Sequence, residues 1–246
     1  MIQQKKTLRV LVDRGFSSEY EEFLSRRFNA EFIVFGKDKD GKFPKNIDLL
    51  LFTGGADVSP NFYGENKGNQ TSTNIARDEE ENIMFNTYNY LPKLGICRGS
   101  QFLTVMCGGK LIQHVNGHLG NHKIHIKNND IYDERLPFSE YEITSTHHQM
   151  MYPFLLQKES YEIIGWSKKF LSNTYLNGNN TEIELTSDFL EPEIVYYKEG
   201  TALCVQGHPE MNSCPKVTSD KILNLIYQIL IKKNSYNNQY EKQPCE

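Results

Sequence analysis

Short apolar runs separated by amphipathic, charged stretches set the rhythm of the first hundred residues. Leu8–Val12 predicts a first strand and residues 31–35 a second, closed by a polar turn over 36–42. Residues 47–52 are apolar apart from Asp48, the composition of a parallel strand buried on both faces. A helix is predicted over 19–28, with Ser17 or Ser18 as its cap. Residues 56–76, rich in Pro, Gly, Asn, Ser and Thr, read as a loop. A second helix over 77–91, acidic at its start, ends before Pro92. Lys93–Ile96 is the next apolar run, and a further helix follows it. Strands alternating with helices predict βαβ units and a parallel sheet, whose sites form at the C-terminal ends of the strands.

From about 111 to 190 the pattern changes. This stretch is polar, with short strand candidates at 142–144, 163–166 and 182–185. Residues 193–197 and 201–206 predict a hairpin turned by Lys198-Glu199-Gly200. An amphipathic closing helix is expected over 219–232, where Ile222, Leu223, Leu225, Ile226, Ile229 and Leu230 form its apolar face. Residues 234–246 read as a polar tail. With no repeat and no linker, the expectation is one domain over residues 1–233, followed by the tail at 234–246. Its fold class is α/β: three layers, an open, mostly parallel sheet with helices on both faces, and a small antiparallel β excursion.

Composition narrows the partners. Of 246 residues, 38% are hydrophobic and 24% charged, and the net charge is -4, which argues against a nucleic-acid partner. No apolar stretch approaches the roughly 18 residues that span a bilayer, so no membrane association is expected. The N-terminus lacks the apolar core of a signal peptide. Five cysteines (97, 107, 204, 214 and 245) form no C-x-x-C pair. They fit free thiols in a reducing, cytoplasmic compartment.

Candidate chemistry centres on Gly95-Ile96-Cys97-Arg98-Gly99, the G-x-nucleophile-x-G pattern of a strand–turn–helix elbow with Cys as the nucleophile. The turn strains the backbone, which Gly95 and Gly99 are expected to permit, and the helix behind it favours the thiolate through its N-terminal dipole. By itself the pattern also fits a structural Cys in a βα turn. A cysteine nucleophile needs a base and the base an orienter. Gly207-His208-Pro209-Glu210 offers both, because Pro209 biases His208 towards extended backbone, where residues two apart share a face. His114, His118, His122 and His125 have metal-like spacing. Gly117, Gly120 and two asparagines make that stretch a loop of solvated histidines instead, so neither metal nor cofactor is expected. His147-His148-Gln149 either lines a pocket or caps a strand.

Taken together these blocks resemble the class I glutamine amidotransferases, on the branch of free-standing γ-glutamyl hydrolases. The matching segments are Gly54-Gly55-Ala56-Asp57-Val58-Ser59-Pro60 with Tyr63-Gly64-Glu65, Arg77-Asp78, residues 95–101 with Gly108-Gly109, residues 144–149, and residues 205–210. Order and spacing agree over roughly residues 8–230. The resemblance implies a flavodoxin-like class I glutamine amidotransferase fold and a triad of Cys97, His208 and Glu210. It also implies an oxyanion hole from the backbone N–H groups of Gly55 and Arg98. Gln101, Ser145, Thr146 and His147 would then hold the glutamyl group. The implied reaction is cysteine-dependent hydrolysis of a small γ-glutamyl conjugate, polyamine-derived or a nucleotide amidate, releasing glutamate through a thioester. Two alternatives stand beside it: a glutaminase subunit delivering ammonia to a separate synthase, and a non-catalytic ligand-binding module. A homodimer and a synthase partner both stay open. Thr144, where the family usually has Asn, and Gly207, where it has a bulky residue, depart from the pattern on the expected pocket side.

Overall fold

A nine-stranded sheet runs through the described residues, 7–128 and 137–232, of the computed structural model. In chain order the elements are β1 (Leu8–Val12), α1 (Ser18–Ser25), β2 (Ala30–Val34), β3 (Leu49–Phe52), α2 (Ile75–Thr87), β4 (Lys93–Ile96), α3 (Arg98–Met106), β5 (Lys110–Ile112), β6 (His114–Val115) and β7 (Leu119–Lys127). They continue with β8 (Phe138–Thr146), β9 (Met150–Tyr152), β10 (Tyr161–Ser167), β11 (Tyr175–Leu176), β12 (Pro192–Tyr197), β13 (Ala202–Val205) and α4 (Lys216–Ile226). The strand order is β2-β1-β3-β4-β13-β12-β10-β7-β8. Its first five strands pair in parallel. The remaining four extend the same sheet in antiparallel fashion. The fold is the expected α/β sandwich, but its antiparallel part is a continuous half of the main sheet rather than a small excursion.

Strand periodicity explains the layers. Val10, Val12, Leu49, Leu51, Leu203 and Val205 face one side, where they pack with Tyr20, Phe23 and Leu24 of α1 and Ile222 and Leu223 of α4. Leu11, Leu50, Phe52, Ala202 and Cys204 face the other, against Met84 of α2 and Phe102 and Leu103 of α3. Every residue of β3, β4 and β13 is buried, which is why these strands read as apolar runs apart from Lys93 at the start of β4.

The middle of the chain departs most from expectation. Instead of short strands, β7 and β8 form a nine-residue antiparallel pair. Lys123, His125 and Lys127 alternate with the buried Ile124 and Ile126, so the strand signal is present but obscured by the glycines and asparagines before it. Of the histidines expected to be solvated in a loop, His118, His122 and His125 are in or beside this strand and His114 is in β6, and His118 is fully buried. At 182–185 there is no strand, only a bridge between Leu176 and Glu182. Helix α2 starts earlier than expected, because the Asn74 side chain caps it by accepting from the Arg77 N–H at 3.2 Å. The closing helix likewise begins sooner, at Lys216, and passes into a π-helical turn over Tyr227–Lys232. The tail at 234–246 lies outside the described residues. No helix among them is long and apolar enough to cross a membrane.

Candidate active site

Three strand ends meet at one edge of the parallel half. Cys97 follows β4 and begins α3 with φ 52° and ψ −113°, a conformation that L residues rarely adopt. Its N–H continues the ladder to the Val205 carbonyl at 2.8 Å. Its carbonyl accepts from the Ser100 N–H at 3.0 Å and the Ser100 hydroxyl at 2.6 Å. The strain therefore sits on Cys97 itself. Gly95 and Gly99 are needed for closeness instead: a Cβ on Gly99 would lie 2.0 Å from the Phe52 carbonyl oxygen, and one on Gly95 2.6 Å from that of Gly99. The turn is as expected: the strain lies on the nucleophile position, and the two glycines permit it by lacking a Cβ.

His208 follows β13 and is fixed to β8 by its N–H, which donates to the Thr144 carbonyl at 2.8 Å. Its Nδ1 lies 2.7 Å from Glu210 Oε1, and its Nε2 lies 2.8 Å from Thr146 Oγ1. Burial works against a charged ring here, but hydrogen bonds with Cys97 and Glu210 outweigh it and push the imidazole up to about 10. Behind this segment, the Ser219 hydroxyl of α4 donates to the Pro209 carbonyl at 2.6 Å.

The turn after β3 completes the arrangement. Arg77 donates from Nη1 to the Gly54 carbonyl at 2.9 Å and from Nη2 to the Thr53 carbonyl at 3.2 Å. In a trans peptide the N–H points opposite to the preceding carbonyl, so pinning the Gly54 oxygen onto Arg77 turns the Gly55 N–H the other way. Gly55 has φ +150°, and a Cβ there would lie 2.1 Å from Arg77 Nη1. Among the described residues, no turn or cap hydrogen bond consumes the Gly55 or Arg98 amide. The turn is braced further by Asp13, which accepts from the Thr53 N–H and hydroxyl at 2.6 Å each, and by the Tyr20 hydroxyl, which accepts from the Gly54 N–H at 2.9 Å. The buried Arg98 guanidinium pairs with Asp78 and Glu81 of α2. Sequence reasoning missed Asp13 and Tyr20 as supports. An Asp closing the apolar run of β1 was the only available hint of either.

These elements open onto a cavity of about 420 Å³. Gly55, Cys97, Arg98 and His208 form one part of its wall, and Ala56, Asp57, Ser72, Gln101, Thr146, His147 and His148 the rest. Asp57 and His148, singled out only within longer motifs, face each other across 3.2 Å. The hydrogen bond to Asp57 raises the His148 imidazole above its ordinary range. Gln101 lines the cavity while its amide donates to the Gln149 carbonyl at 3.0 Å. Ser145 is wholly buried and is not part of the wall. His147 contributes to the wall, but its ring is turned inward: Nδ1 donates to the Gln149 carbonyl at 2.9 Å, and burial lowers the ring to about 3. Thr144 and Gly207 do not line the cavity either. The Thr144 hydroxyl bonds Asn121, and a Cβ on Gly207 would meet Ile143 at 2.6 Å. The two departures from the family pattern are thus packing features and not pocket features.

The Peptidase C26 family matches residues 32–168, more than half of the chain. The chain belongs to that family. This Peptidase C26 member is also similar to a candidate glutamine amidotransferase of Schizosaccharomyces pombe, 35% identical over 109 residues, which are 42% of this chain and 43% of that protein. A glutamine amidotransferase-like protein of Lactococcus lactis subsp. lactis is 41% identical over 73 residues, 28% of this chain and 31% of that protein. The matched stretches thus span less than half of either relative. In fold it resembles the crystal structure of a candidate GMP synthase component from Thermoplasma acidophilum, with TM-score 0.61, 16% identity, and coverage of 98% of this chain and 100% of that one. A glutamine amidotransferase from Thermotoga maritima gives TM-score 0.51 and 17% identity, covering 93% and 85%. The fold is therefore that of the class I glutamine amidotransferases. Membership of Peptidase C26 supports cysteine-type hydrolysis of a C–N amide bond as the general chemistry.

Proposed function

We propose that the protein hydrolyses the γ-glutamyl amide bond of a small conjugate, releasing glutamate through a thioester on Cys97. The observation that carries this reading is the His208 imidazole, oriented by the Glu210 carboxylate at 2.7 Å and sharing the cavity wall with Cys97. The thiolate attacks the γ-carbonyl carbon, and the resulting oxyanion accepts hydrogen bonds from the Gly55 and Arg98 amides. Each such donor is typically worth about 10²–10³ in rate. Collapse breaks the C–N bond as His208 gives its proton to the departing amine. His208 then takes a proton from water, hydroxide adds to the thioester carbonyl, and the C–S bond breaks to return Cys97. Glu210 keeps the ring oriented through both steps. Gln101, Thr146 and the backbone at His147 receive the glutamyl end. We read residues 1–233 as one catalytic unit working in a reducing cytoplasm.

Glutamate release from a panel containing glutamine, γ-glutamyl polyamine derivatives and a γ-glutamyl nucleotide amidate tests the reading, with Cys97→Ala as control. Cys97-dependent turnover of a conjugate well above glutamine is the expected result. Turnover of glutamine alone would replace the conjugate hydrolase with an ammonia donor to a separate synthase. No turnover of any compound, together with a Cys97 inert to thiol reagents, would overturn the triad.

A further inference from the structure

Behind the inward-turned ring of His147, ionisable side chains converge inside the antiparallel half of the sheet. His118 and His122, an even number of residues apart at the start of β7, share a face and reach towards Glu193 of β12. His122 Nε2 lies 2.9 Å from Glu193 Oε1, His118 Nδ1 3.3 Å, and His147 Nε2 4.0 Å. His118 and Glu193 are fully buried. The protein's own hydrogen bonds do not exhaust this cluster. The two ring nitrogens of His118 face carboxylates at 3.3 and 3.4 Å without hydrogen-bond geometry, and Nδ1 of His122, Nε2 of His147 and Oε2 of Glu193 are buried without a hydrogen-bond partner. Burying so many polar atoms unpaired is costly, so the arrangement calls for a bound group.

We propose that His118, His122 and Glu193 bind a zinc ion, with His147 closing as the fourth ligand. Two imidazoles and a carboxylate are a zinc donor set, with bonds of roughly 2.0–2.2 Å. In a tetrahedron such bonds place the ligand atoms roughly 3.3 Å apart. The 2.9 and 3.3 Å separations fit those edges, and all the donor atoms of His118, His122 and Glu193 lie within 4.8 Å of one another. An outer ring of partners is also present. Glu191 Oε2 lies 3.4 Å from His118 Nε2, the Ser167 hydroxyl donates to Glu193 Oε1 at 3.3 Å, and His147 Nδ1 is fixed by the Gln149 carbonyl. The ion would join β7, β12 and the corner after β8. That corner carries Thr146, whose hydroxyl touches His208. Its role is to hold the corner, and the inference does not rest on the hydrolase reading.

Elemental analysis of the full chain, purified without chelator, should find about one zinc per chain. Cobalt added to metal-stripped protein should give the intense visible bands of a tetrahedral nitrogen–oxygen site. Zinc at a hundredfold excess over its Kd should raise Tm by about 5–10 °C. His122→Gln and Glu193→Gln should each weaken zinc binding at least about tenfold, whereas Cys97→Ser should keep it. Should the two ligand variants fail to fold, the cobalt spectrum of the wild type decides. Zinc far below one per chain with no rise in Tm overturns the proposal. So does zinc that survives His122→Gln but disappears with Cys97→Ser, because the ion would then sit on the nucleophile.

Discussion

The two halves of the sheet solve burial in opposite ways. In the parallel half, β3, β4 and β13 send apolar side chains into helix layers on both faces, and polar chemistry is confined to the strand ends. In the antiparallel half, Ile124, Ile126, Ile143 and Ile194 face the α4 layer, while His118, His122, Ser167 and Glu193 bring a polar network together inside the sheet. A strand covered by helices on both sides has no room for charge except where it stops. A strand with one face free of helices can carry charge in its middle, provided the charges meet partners. Damage to the first half should therefore abolish chemistry at its edge without unfolding the chain, and damage to the second should unfold it.

The largest effect is expected at the strand end. His208→Gln should lower glutamate release by about 10⁴-fold, because the thiol loses its base and the leaving amine its acid. Circular dichroism and Tm should be close to wild type. A variant retaining a tenth of the activity would remove His208 from the chemistry.

The counterpart in the antiparallel half is Glu191→Ala. Glu191 accepts from the Leu171 N–H at 2.8 Å, the Ser172 N–H at 2.9 Å and the Tyr175 hydroxyl at 2.8 Å, beside the buried His118. Removing it strands the two backbone N–H groups and leaves the Tyr175 hydroxyl with the Ser172 carbonyl alone. A cost of about 3–5 kcal/mol is expected in urea denaturation, the range for breaking a buried charge pair by deleting one partner. Specific activity of the fraction still folded should fall far less than in His208→Gln. A cost below about 1 kcal/mol would mean that this half tolerates unpaired charge, and the contrast would fail.

The contrast also decides what the sequence made legible. Leu8–Val12 and Lys93–Ile96 were readable to the residue, because each is a short, mostly apolar run bounded by polar residues or Pro92. The grouping of Cys97, His208 and Glu210 at one strand edge was readable because its signals are local: a turn pattern and a His-Pro-Glu run each lie within a few residues. The His118–His122–Glu193 cluster was not, since its members lie on strands far apart in the chain and only the sheet order brings them together. The local hints were the metal-like spacing of His118 and His122 and a Glu inside the buried strand β12. The Gly55 turn was half legible. Its glycines announced a turn, but its orientation depends on Arg77 of another element.

That dependence gives the next effect. Arg77→Gln should reduce kcat by about 10²–10³-fold, the usual loss for one oxyanion donor, with KM little changed. A single amide cannot fork onto the Thr53 and Gly54 carbonyls while also pairing with Asp13 and Glu81. Arg77→Lys, a point charge in place of the fork, should recover little. Full activity in either variant would show that the Gly55 peptide holds its orientation without Arg77.

The smallest effect is expected at the seam between the halves, where Thr146 ends β8 and touches His208. Thr146→Val removes one hydrogen bond, worth about 1 kcal/mol, so kcat/KM should fall roughly fivefold. The pH profile tells whether Thr146 only steadies the ring or also sets its charge. His208 is raised from 6.5 to about 10 by Cys97 and Glu210 against the opposing effect of burial, so the rate should hold to near pH 10 and fall above it as the ring loses its proton. The sign for stability follows from the same shift. A raised histidine contributes fully below about 6.5, and that contribution disappears as pH rises through about 10. Thr146→Val should leave the alkaline limb in place, whereas Glu210→Gln should move it towards acid. If Thr146→Val moves the limb as far as Glu210→Gln does, the antiparallel half tunes the charge of the base, and the two halves are chemically one.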